Sequence, residues 1–107
     1  MGGITKNDAS EHLVSFKKKI NKISESRNRI IEKMRKSEQP DEFVPDLSKF
    51  NTQYNYCFAL IKNLKRLLDL YSSVEEMEKK RYPTNTYKRK IEDLSKRITK
   101  AFAREKV

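Results

Sequence analysis

LSKFNTQYNYCFALIKNLKRLLDLY, residues 47–71, places apolar or aromatic side chains at Leu47, Phe50, Tyr54, Cys57, Ile61, Leu64, Leu68 and Tyr71. The steps alternate between three and four residues, which puts all eight on one stripe of an α-helix. A second row, Tyr56, Leu60, Leu67, Leu70, Val74 and Met77, runs beside the first. Two adjacent rows make an apolar arc too wide for one neighbour, so this helix is the central element and contacts two others. The pattern predicts one helix over residues 46–81, about 50 Å long at 1.5 Å per residue. Ser72-Ser73 is the place where it would break, giving four helices instead of three.

On the N-terminal side, residues 38–45 interrupt the periodicity with Pro40 and Pro45, each of which lacks an N–H donor and restricts the residue before it. This stretch reads as an acidic linker. Asp46 stands where a cap for the second helix is needed. Before the linker, Leu13, Phe16, Ile20, Ile23, Ile30 and Met34 repeat at helical spacing and predict a first helix over residues 8–37, with Asp8 and Glu11 spaced as a capping box. Residues 1–7 read as a flexible lead. Arg27 falls on the apolar seam, where it either lies along the seam with its charge in solvent or pairs with Asp69, the acid in the heart of the second helix.

On the C-terminal side, Pro83-Thr84-Asn85 ends the second helix and offers Thr84 or Asn85 as a cap. Tyr87, Ile91, Leu94, Ile98 and Phe102 then mark a third helix over residues 84–105. Short connections force antiparallel neighbours, so the expected fold is all-α: an antiparallel three-helix bundle in a single domain spanning residues 1–107. The apolar arc of the second helix is covered either by the other two helices or by a second copy of the chain, and a homodimer stays open at this level.

Composition bounds function mainly by exclusion. Of 107 residues, 37% are charged and 36% hydrophobic, and the net charge is +10, which favours partners of negative potential. Catalytic, cofactor and metal sites are all expected to be absent. The single histidine, His12, has no nucleophile arranged around it, and Cys57, the single cysteine, sits on the apolar seam as a small buried hydrophobe. One cysteine and one histidine do not make a structural zinc site. Glycine occurs only at positions 2 and 3, which leaves no Gly-rich loop to cradle a phosphate. Met1-Gly2-Gly3-Ile4-Thr5-Lys6 departs from the myristoylation pattern at Lys6. With neither an apolar run of spanning length nor a signal-peptide stretch, the chain reads as intracellular, cytoplasmic or nuclear, and a membrane partner is disfavoured.

Two basic faces remain. Residues 17–36 carry nine Lys or Arg against Glu25 and Glu32, and residues 79–100 carry nine against Glu92 and Asp93, a local excess of seven in each case. Spacing predicts i,i+4 pairs of Glu92 with Lys96 and of Asp93 with Arg97. The second face differs in setting Tyr82 and Tyr87 among its charges. Lys79, Lys80, Arg81, Tyr82, Lys88, Arg89, Lys90, Lys96 and Arg97 are therefore the candidate partner-binding residues. The expected activity is that of a non-enzymatic protein-interaction module, an adaptor or regulatory subunit that docks an acidic protein surface. Binding of RNA or DNA by the same region is the alternative.

The layout of three helices, with the middle one longest and Lys88-Arg89-Lys90 opening the last, is similar to the BAG domains of heat-shock-protein co-chaperones and to the N-terminal three-helix domains of SNARE proteins. The likeness covers most of the chain and is one of architecture; it assigns no residue a role.

Overall fold

A computed structural model of the chain describes residues 3–105, and within them three helices run in the order α1 (Lys6–Lys36), α2 (Val44–Lys79) and α3 (Asn85–Glu105), with a short 3₁₀ turn at Pro40–Phe43. The fold is an all-α antiparallel helical bundle. Met1 and Gly2, including the glycine of the myristoylation reading, lie outside the described residues.

The helix ends show which local signals win. α1 is capped three residues earlier than the sequence reading places it: the Thr5 hydroxyl accepts the Asp8 N–H at 3.1 Å, and the Asp8 carboxylate accepts the Thr5 N–H at 3.4 Å. Asp8 thus fills the acidic position of the box, the role assigned to Glu11, and Thr5 supplies the hydroxyl. Ile4 before the cap and Ala9 one turn on are both buried, the two positions of a hydrophobic staple. Ile4 is accordingly docked, and Thr5, Lys6 and Asn7 form the cap and first turn of α1 in place of the flexible lead expected there, because Ile4 gains from burial.

At the other punctuation point, Pro45 does not delay α2. The helix starts at Val44 and carries Pro45 in its first turn, where an N–H would find no helical acceptor in any case. Asp46 lies inside that first turn instead of capping it, and its charge favours the helix N-terminus there. α2 continues unbroken through the exposed Ser72-Ser73. Tyr71 and Val74 on either side are packed against the neighbouring helices, which holds the segment helical.

The core lies along α2. Leu64 and Leu67 are fully enclosed, Leu60 and Cys57 nearly so, with Phe16 and Ile23 of α1 and Leu94 and Ile98 of α3 closing over them. α1 takes one side of the arc and α3 the other. Among the described residues no Cα of α3 comes within 8 Å of α1. Those two helices meet through large side chains, with the Phe102 ring 5.6 Å from that of Phe16 and 4.8 Å from that of His12.

Length differences shape the whole molecule. α2 has 36 residues, α1 31 and α3 only 21, so the α1–α2 hairpin projects about 20 Å past the end of α3. The result is a rod of 66 × 25 × 18 Å with a radius of gyration of 18.5 Å, against about 13 Å for a compact domain of this length.

Register also settles Arg27. Its guanidinium lies 4.8 Å from the Tyr54 ring and its Nη1 reaches the Asn51 side-chain oxygen at 3.5 Å. Asp69 is fifteen residues beyond Tyr54, about 22 Å further along α2, and is exposed. An antiparallel register that sets Arg27 against Asn51 excludes the Asp69 pair.

Candidate functional site

Seven of the nine candidate residues, 79–82 and 88–90, lie at the corner where α2 turns into α3, while Lys96 and Arg97 stand about three turns further along α3. The Tyr82 N–H donates to the Met77 carbonyl at 2.9 Å and the Arg81 N–H to the Glu78 carbonyl at 3.1 Å. These two bonds close a Schellman motif, with Arg81 in the left-handed conformation at φ 59°. Pro83 follows, unable to extend the helix, and Thr84 is buried with its carbonyl accepting the Lys88 N–H at 2.9 Å. A side chain as large as arginine in that conformation costs about 1 kcal/mol relative to glycine. The corner is held by its bonds in spite of it.

Tyr82 emerges from this turn 59% exposed, with Met77 and Tyr87 lining the same shallow groove. It does not cap the core. Tyr87 is half-buried, and the Lys90 ammonium sits 5.2 Å from its ring centroid, a cation–π contact that draws Lys90 toward the helix surface.

The nine candidates do not form one uniform patch. Lys80 pairs with Glu76 at 3.7 Å, Lys88 crosses to Glu78 of α2 at 3.5 Å, and Lys96 pairs with Glu92 at 3.4 Å. Exposed pairs like these are worth little in stability, yet they cancel charge locally. Among the described residues, Lys79, Arg81, Arg89 and Arg97 have no carboxylate within 4 Å. The expected pair of Asp93 with Arg97 does not form; Arg97 turns instead toward a cleft shared with α2.

That cleft, about 160 Å³ between α2 and α3, is lined by Arg66, Leu70, Lys90, Asp93, Leu94 and Arg97. Arg66 was not among the sequence candidates. It lies on the outer face of α2, next to Lys65, and its sequence neighbourhood carries no aromatic or turn signal; only the antiparallel register brings it opposite Arg97.

The first basic face is more dispersed. Arg35 and Lys36 share Glu32, each at 3.9 Å, and the Lys19 ammonium lies 5.7 Å from the Phe16 ring. A groove of about 500 Å³ opens where α3 ends, with Ile23, Tyr56, Cys57 and Ala101 in its walls, and the Tyr56 hydroxyl donates to the Ala101 carbonyl there at 2.7 Å. Cys57 is 1% exposed at the base of that groove. Among the described residues no group of three His, Cys, Asp or Glu is placed to hold a metal ion, and no helix is long and apolar enough to cross a membrane. Comparison with protein-family models, curated proteins and solved structures found no match to this chain.

Proposed function

We propose that the protein is a non-enzymatic interaction module, an adaptor or regulatory subunit, that docks an acidic protein surface through the α2–α3 corner. The observation that carries this reading is the exposed Tyr82, set by a hydrogen-bonded turn beside Arg81 and Lys79, with Arg89 one turn into α3. Aromatic side chains ringed by cations are the residue types that anchor protein interfaces. Because the turn fixes the backbone at Tyr82 before any partner arrives, little ordering entropy remains to be lost on docking. An intracellular location, cytoplasmic or nuclear, fits a partner of this kind.

Titration of the purified protein with polyglutamate and with a mixed-sequence single-stranded RNA, across about 50 to about 300 mM salt, tests the reading. Polyglutamate binding that weakens in Tyr82→Ala and disappears in the triple variant K88E/R89E/K90E supports docking at this corner. Retention of binding by the triple variant sinks it. The alternative, nucleic-acid binding through residues 79–100, requires RNA to outcompete polyglutamate with a log–log salt slope of about −3, as four phosphates on single-stranded RNA produce.

A further inference from the structure

We infer that the cleft between α2 and α3 is a receptor site for one phosphate monoester, presented by a phosphorylated serine or threonine of the docking partner. The inference deepens the docking reading of the same face and rests on it. Arg66 and Leu70 are one turn apart on α2, and Lys90, Asp93, Leu94 and Arg97 cover two turns of α3. The helices are antiparallel, so Arg66 and Arg97 share one end of the cleft and Lys90 stands at the other. Leu94 is buried and Leu70 half-buried, which gives the cleft an apolar floor beneath three exposed cations.

Charge and size select the ligand. Three cations against the single carboxylate of Asp93 leave the cleft two positive charges in excess, and neither Arg66 nor Arg97 has a carboxylate within 4 Å among the described residues. A phosphate monoester carries close to two negative charges at neutral pH, and guanidinium forks match its oxygens in bidentate fashion. A volume of about 160 Å³ is well below the 300–1,000 Å³ of small-molecule pockets. That size matches one oxyanion group and is too small to bury a whole nucleoside. A carboxylate side chain brings half the charge and leaves the cleft cationic, and a nucleic-acid phosphodiester does the same.

The test uses a short Glu-rich peptide carrying one phosphoserine, its unphosphorylated parent, and the full chain as wild type, R66A/R97A and K33A/R35A. The last pair removes equal charge at the far end of α1. Both arginines of the cleft are exposed, so R66A/R97A is expected to melt like the wild type. Wild type binds the phosphopeptide about tenfold or more above the parent, the gain of two charge-assisted bonds. The ratio falls to near one in R66A/R97A and survives in K33A/R35A. Equal affinity for both peptides in the wild type overturns the phosphate site, and so does a preference that persists in R66A/R97A. A single-stranded RNA of the same charge that displaces the phosphopeptide as well as a second phosphopeptide does also overturns it. The docking reading fails separately, by K88E/R89E/K90E retaining the unphosphorylated peptide.

Discussion

The Tyr71 hydroxyl donates to the backbone carbonyl of Ile4, closing a contact across 67 residues of sequence between the last turns of α2 and the lead into α1. It ties down the chain just before the Thr5 cap, at the end of the rod opposite the hairpin turn. Burial and the nearby Asp8 carboxylate push the Tyr71 phenol above its usual pKa of 10.0. The folded protein therefore holds this proton more tightly than the unfolded chain. Its stabilising share is complete below about pH 10 and is lost as pH rises through the higher folded value.

Tyr71→Phe is expected to lose about 1 kcal/mol at neutral pH, the net worth of one hydrogen bond. It also flattens the alkaline fall in stability above about pH 10. Urea unfolding at neutral and alkaline pH measures both, and an unchanged alkaline branch in the variant removes Tyr71 as its source.

Arg81→Gly is expected to stabilise the fold by about 0.5–1 kcal/mol, since glycine adopts the left-handed position of the Schellman turn without the Cβ clash. Arg81→Val goes the other way. Thermal melting resolves the pair, at about 4–8 °C per kcal/mol for a domain of this size.

Leu64→Ala is expected to cost about 2–5 kcal/mol, because Leu64 is 0% exposed between both neighbours of α2 and the cavity left behind is closed on all sides. Leu64→Asp places an unpaired charge there and abolishes cooperative melting. A sharp transition in the aspartate variant contradicts the core assignment.

Arg27 gives an asymmetric pair of outcomes. Its Nε is buried with no hydrogen-bond partner, while its guanidinium carbon lies over the Tyr54 ring, 4.8 Å from the centroid. Arg27→Met keeps the packing and removes the orphaned donor, so its denaturation midpoint stays at or above the wild-type value. Arg27→Ala loses the cation–π contact and the packed stem together, a cost of about 1 kcal/mol.

Legibility differed by the kind of signal. The apolar arc of α2 was readable because helical periodicity is local, with Leu64 and Cys57 in the core where the spacing puts them; the deepest line nevertheless runs between the two rows, since Leu60 and Leu67 of the second row are equally enclosed and the other six seam positions are half-buried. The wrong cap for α1 had a different cause. Both Thr5-Asp8 and Asp8-Glu11 have box spacing, and what separates them is Ile4, whose burial depends on α2 and α3 being in place. The candidate cations were legible as a cluster, yet not as individuals. Glu78 and Lys88 lie on different helices, and their pairing belongs to the register between them.

The antiparallel order of the helices, the central place of α2 and the cationic character of the corner are legible in the chain alone, because periodicity, proline punctuation and net charge are properties of neighbours along it; that α2 runs unbroken through Ser72-Ser73, and so the count of three, rests on the packing of Tyr71 and Val74. Tertiary structure alone decided that Arg27 stacks on Tyr54 instead of meeting Asp69, that Ile4 is docked under Tyr71, and that Arg66 faces Arg97 across a cleft. Each of these depends on how far one helix is shifted along another. That shift is set by the summed burial of side chains from all three helices at once, which no single stretch of sequence contains.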